Sequence, residues 1–148
     1  MPEFTINRQI DAPVEKVWEV LHDFGDIQRW NPGVKTSALT SEGPVSEGAT
    51  RSCGFAPFGS VNERVTAHQE HQRLTVHIYE AFKLPISSAV ADFNIAADGD
   101  GTDLALHYSY EPNVLGKLMK GYTHKQMLKG IGGLAKSLAI ESERLANV

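Results

Sequence analysis

A single cysteine, Cys53, in 148 residues rules out an intrachain disulfide and favours a reducing compartment. That lone thiol cannot anchor a cysteine-rich metal site. None of the six histidines stands at the i, i+4 helical spacing with an acidic neighbour that zinc hydrolases use, so no metal and no cofactor is expected. The chain also lacks a Gly-x-Ser-x-Gly elbow, a phosphate loop and a dinucleotide fingerprint, which removes support for common hydrolase, kinase and Rossmann chemistry. No stretch is apolar enough to span a bilayer, and no basic segment leads into an apolar one near Met1. Stable membrane insertion and a signal or transit peptide are therefore not expected, and a cytoplasmic location is. With a net charge of -4 and no run of lysines and arginines, the footprint of a nucleic-acid binder is missing as well.

What is present is a chain 41% hydrophobic and 22% charged, too apolar for intrinsic disorder and of ordinary length for one domain over residues 1–148. Phe4, Ile6 and Ile10 alternate with Thr5, Asn7 and Gln9, the period of a strand with one buried face, although Arg8 falls in the buried phase. Asp11 is placed to cap a helix that has Pro13 near its first position and Val14, Val17, Trp18 and Leu21 as its apolar stripe. A second short helix fits Asp23 to Trp30, ended by Asn31-Pro32-Gly33. Six β-rich runs follow: Val34 to Thr40, Ala49 to Phe55, Ser60 to Ala67, Leu74 to Phe82, Ser87 to Ala96 and Thr102 to Tyr110. With no helix between them they imply an antiparallel meander. From Leu115 to Leu145 the spacing turns helical, with Met127, Ile131, Leu134, Leu138, Ser142 and Leu145 on one side. Gly121, Gly130, Gly132 and Gly133 interrupt this helix, each costing about 1 kcal/mol against alanine. Close packing on the sheet, a kink, or room left for a ligand would each account for them.

Local sequence sharpens the pattern. Ile10-Asp11-Ala12-Pro13 through Val17-Trp18 resembles the opening I-x-A-P-x-x-x-V-W of the START/Bet v 1-like (SRPBCC) superfamily. Asp23-Phe24 through Trp30-Asn31-Pro32 is similar to its D-F-x-x-x-x-x-W-x-P stretch, Gly48 to Arg51 to G-x-x-R, Val61 to Val65 to V-x-E-x-V, and Gly101 to Leu104 to G-T-x-L. The likeness covers nearly the whole chain and runs toward the bacterial polyketide cyclase/dehydrase-like branch. It implies an α+β helix-grip fold: a curved seven-stranded antiparallel sheet wrapped around the long C-terminal helix, two short helices after the first strand, and a cavity between sheet and helix.

A site in such a cavity needs an apolar wall and a few placed polar groups. Trp30, Phe55, Phe58, Tyr79, Phe82, Phe93, Tyr108, Met119, Tyr122 and Met127 are candidates for the wall, although each taken alone fits an ordinary core position better, since large apolar residues fill interiors anyway. Glu63 shares the phase of Val61 and Val65, which points a carboxylate inward, with Arg51 or Arg8 as its partner in either a structural ion pair or a ligand contact. In a desolvated setting Glu63 is a candidate general base, and Arg51, His77, Tyr79 and Tyr108 complete a candidate catalytic set. His77 and His107 lie in strands whose phase is open, whereas His68 and His71 flank a hairpin turn and are expected in solvent. In plant abscisic-acid receptors, which share the helix-grip fold, a lysine at the offset of Lys35 grips the ligand's carboxylate. Lys35 resembles it, but the gate motif of those receptors is not matched.

Three functions compete. The first is a carrier or sensor that binds a small hydrophobic ligand, a lipid, polyketide-like molecule or aromatic acid, between sheet and helix. The second is a polyketide cyclase or dehydratase, whose chemistry needs a donor to polarise a carbonyl and a base to take an α-proton. The third is a module acting on a partner protein through an apolar patch around Phe55 to Phe58. A monomer or homodimer fits each of them.

Overall fold

A computed structural model describes residues 1–148. Strand β1 (Glu3–Ile10) leads into helix α1 (Val14–His22) and a 3-10 helix (Phe24–Arg29). Six strands follow: β2 (Val34–Leu39), β3 (Thr50–Phe55), β4 (Ser60–Gln69), β5 (Arg73–Phe82), β6 (Ile86–Asp98) and β7 (Gly101–Pro112). Helices α2 (Val114–Leu118) and α3 (Lys120–Ala146) close the order. All seven strands form one antiparallel sheet in the order β1-β7-β6-β5-β4-β3-β2, so every neighbouring pair is adjacent in sequence except β1 with β7. This is the helix-grip architecture.

The register fixes which side chains share the concave face. Phe4 pairs with Tyr108 and Ile6 with Leu106 at the β1 edge. Tyr110 faces Ala89, Tyr108 faces Ala91 and Leu106 faces Phe93 across β7 and β6, and Val76 and Ile78 continue the row on β5. All of these except the half-buried Phe4 and Ile6 are buried. The row belongs to one apolar core that α1 completes with Val17, Trp18, Val20 and Leu21, and α3 with Ala135, Leu138 and Ala139. The β6–β7 turn uses Gly99 at φ 60°, the left-handed region that glycine enters without a Cβ clash. Register shifts between Asn62 and Glu63, and between Val65 and Ala67, put bulges into the β4–β5 ladder, which bend a strand and deepen sheet curvature.

Helix starts depart from the sequence expectation. Pro13, not Asp11, occupies the N-cap of α1, and its carbonyl accepts the Lys16 amide at 2.9 Å. Asp11 is exposed, and its own amide donates to Glu143 of α3 at 3.0 Å. The helix expected from Leu115 is two helices, because Met119 leaves helical geometry at ψ 41°. Asn113 caps the first of them, its side chain accepting the Gly116 amide at 2.9 Å. Within α3 the four glycines produce neither break nor tight packing: a Cβ built on any of them meets no atom within 4 Å. Packing of α3 falls chiefly on α1, β1 and β7.

Candidate functional site

Two charged side chains interrupt the apolar inner face. Arg51 on β3 and Glu63 on β4 are cross-strand partners and both are buried, with Arg51 Nε donating to Glu63 Oε1 at 3.0 Å. Arg51 Nη1 also donates to the Phe24 carbonyl at 2.8 Å, and the guanidinium carbon sits 3.9 Å from the centre of the Phe24 ring. A buried charge pair is tolerated when further hydrogen bonds and a polarisable face replace water, and Phe24 supplies both. Cys53, two residues along β3, shares this environment. Burial pushes its thiol up to about 12, and the Glu63 carboxylate adds to that effect, so Cys53 is a neutral packing group rather than a nucleophile.

Tyr108 faces the same interior from β7. Burial raises its phenol well above the ordinary value, with the Glu63 charge and Tyr110 contributing, which keeps the hydroxyl protonated as a donor. Its partner is a weak acceptor, the Met127 sulfur of α3 at 3.8 Å. One strand position pair further on, the Tyr110 hydroxyl lies 2.8 Å from His124 Nδ1. Burial also raises the Tyr110 phenol. Phe4 seals this group, 5.6 Å from the Tyr108 ring and edge-on to His124 at 5.7 Å. Beside it an opening of about 280 Å³ is lined by Tyr110, Thr123, His124, Gly116, Lys120 and Gly121, at the lower end of the volume of small-molecule pockets. A phenol hydrogen-bonded to an imidazole provides one donor and one base in contact, the minimum for moving a proton. A second depression, at the opposite end of the strands, is lined largely by polar side chains such as Gln69, Arg73, Asn94 and Asp103 and holds none of the site candidates.

Trp30 adds a different kind of group. It packs against the core, and its indole Nε1 is sealed from solvent with no acceptor in reach. Leaving a buried donor unmatched costs about 1–3 kcal/mol.

Residues 1–139 match the family model described as polyketide cyclase / dehydrase and lipid transport. The chain belongs to that family. A comparison with curated protein sequences finds no match. Among solved structures, a Thermus thermophilus protein superimposes with a TM-score of 0.83 at 17% identity, covering 98% of this chain and 99% of the other. An aromatase/cyclase from Streptomyces gives 0.82 at 13% identity, with 97% and 94% covered. A START superfamily protein from Mycobacterium smegmatis gives 0.78 at 19%, with 97% and 98% covered. These likenesses establish the shared fold.

Within this polyketide cyclase/dehydrase family member, the sequence candidates divide by position. Arg51, Glu63, Phe93 and Tyr108 are buried on the concave side, and Trp30, Phe55 and Met127 are partly buried against the core. His77 is not among them: it pairs with the exposed Arg64 and stands on the outer face, away from Glu63. Tyr79 is also outside, two residues from His77 in the same strand phase, with the Arg64 guanidinium 4.5 Å from its ring centre. His107 bonds Thr5 Oγ1 at 2.8 Å on the same outer side. Arg8 is exposed and does not reach Glu63. Lys35 is exposed at the register shift between Val34 and Thr36. Phe58, Phe82, Met119 and Tyr122 are exposed too, at the loop end of the sheet. His68, expected in solvent, instead packs edge-on to Trp18 at 5.2 Å with its Nε2 buried. Tyr110 and His124 join the site without being among the sequence candidates; Tyr110 continues the inward phase of Tyr108, whereas His124 carries no comparable mark.

Proposed function

We propose that this family member binds a small, largely hydrophobic molecule carrying a hydrogen-bond acceptor against the concave face beneath α3, as a carrier or sensor. The observation that carries the reading is Trp30 Nε1, a buried donor with no acceptor on a side chain packed against an apolar core. Tyr108 supports it, since a protonated phenol whose only partner is a thioether has most of its hydrogen-bonding capacity unspent. Apolar burial would supply most of the affinity and these donors the orientation. The test is a fluorescence titration with 1-anilinonaphthalene-8-sulfonate, an aromatic body with one anionic acceptor, alongside native mass spectrometry of freshly purified protein and denaturing extraction of anything it retains. Saturable binding that weakens about fivefold in Trp30→Phe is expected, the worth of one hydrogen bond. A bare protein mass together with no saturable binding of the probe would sink the proposal.

The Tyr110–His124 pair favours a second reading, catalysis of cyclisation or dehydration. His124 would take an α-proton, a buried tyrosine would polarise the attacked carbonyl, and the new carbon–carbon bond would leave a hydroxyl to depart as water. Turnover of a poly-β-ketone thioester that disappears in His124→Ala, with probe binding retained, would select this reading over the carrier.

A further inference from the structure

Helix α2 is inside out. Its one buried residue is Gly116, pressed so closely on the Pro85 carbonyl that a Cβ has no space, while Val114, Leu115 and Leu118 face solvent, Leu118 at 79% exposure. A helix normally turns its apolar stripe to the core, so nothing in the folding of this chain accounts for the arrangement. The outward residues are not isolated. The β5–β6 loop is tied to α2 by Asn113, whose side chain donates to the Leu84 carbonyl at 2.8 Å and whose amide donates to Pro85 at 3.1 Å. The β3–β4 loop joins them where Gly59 lies under Leu84. Phe58, Phe82, Leu115, Leu118, Met119 and Tyr122 are thereby gathered at one end of the molecule, all of them at least 47% exposed. The 280 Å³ opening emerges at the same end, through Gly116, Lys120 and Gly121.

Charge singles out this end as well. Around α2 and the first turns of α3 the chain carries Lys117, Lys120 and Lys125, with Glu111, 3.8 Å from Lys117, as the neighbouring acid. Lys83, exposed on the β5–β6 loop, extends the basic rim. An acidic protein has concentrated positive charge where it exposes apolar side chains. That combination is complementary to one surface in particular, an apolar interior beneath an anionic layer. We infer that the loop end docks reversibly on a bilayer containing anionic lipid, with Leu115, Leu118, Met119 and Tyr122 entering the interface and the lysines resting on the headgroups. No helix is long and apolar enough to cross the membrane, so the contact is peripheral. This inference stands apart from the identity of any ligand in the concave face.

The test is co-sedimentation of the intact protein with vesicles of phosphatidylcholine alone and of phosphatidylcholine with phosphatidylglycerol in equal parts, at 0.1 and 1 M NaCl. Binding to the anionic vesicles should exceed binding to the neutral ones at least tenfold and fall at high salt, where the screening length shrinks to about 3 Å. Lys117→Glu with Lys120→Glu should reduce it at least tenfold, at about fivefold per lysine removed. Leu118→Ser should weaken it at both salt concentrations, while Ile140→Ser, an exposed apolar position far along α3, leaves it unchanged. Because all these side chains are exposed, unchanged far-ultraviolet circular dichroism will show that the variants fold. Failure to sediment with anionic vesicles, or equal sedimentation with both kinds unaffected by the lysine and leucine variants, would overturn the inference. So would a dimer in solution that Leu118→Ser converts to monomer without any vesicle binding, because the face would then belong to a second copy.

Discussion

At the scale of single residues, the consequential contact is the pair Arg51–Glu63. Its partners are both buried, so removing one strands the other's charge in the core, whereas removing both costs little beyond packing. Arg51→Met should destabilise the fold by about 3–5 kcal/mol, and Arg51→Met combined with Glu63→Gln should recover most of that loss. Urea unfolding checks it; a single variant costing under about 1 kcal/mol would mean that water reaches the pair. The inward phase of Glu63 was legible because Val61 and Val65 flank it at the strand period. The outward positions of Tyr79 and His77 follow from the same rule, since Leu74, Val76 and Ile78 take the buried phase of β5 and leave the two in the other. The contact between Tyr110 and His124 was not legible, because it joins a strand to a helix and no local spacing encodes that.

Elements meet at Glu141. This α3 side chain is held by Arg144 through Nε at 2.7 Å and Nη2 at 2.9 Å, and it also accepts from Arg29 at the end of the 3-10 helix, tying that short element to the long one. The Arg144 hydrogen bond, joined by Arg29 and opposed by partial burial, holds the Glu141 carboxyl down at about 2. Its folded value lies below its unfolded one, near 4.5, so the stabilisation is complete above pH 4.5 and is lost as pH falls toward 2. Glu141→Gln should therefore be less stable than the parent by about 1–2 kcal/mol at pH 7, with the difference closing by pH 2. Thermal melts of both proteins across that range test the sign; a gap that persists at pH 2 would assign the loss to packing. A similar tie joins β5 to β6. Burial pushes Asp92 up, but hydrogen bonds from Arg73, Thr75 and Asn94 outweigh it and hold the carboxyl below its usual range. Element order and type were readable from periodicity and turn chemistry. The ends of helices were less so: Asp11 looked like a cap by type, and Met119, a good helix former, gives no sign of the break at which α2 turns away.

For the whole molecule, the polarity of charge matters more than its sum. Net charge of -4 describes an acidic protein, yet the charged residues between Pro112 and Ile140 are all lysines, and the absence of a consecutive lysine run hid this in the sequence. The architecture itself was legible, since six strands without intervening helices leave few ways to form a sheet. The connectivity of that sheet also orders events in time. Strands β3 to β7 each find a partner in the strand made just before, but β1 pairs only with β7, and Phe4 waits for Tyr108. On a ribosome the first strand is therefore synthesised some hundred residues ahead of the strand that shelters it. Until then its apolar residues and open edge are exposed, and only closure of β1 on β7 and the arrival of α3 turn the growing meander into a finished protein.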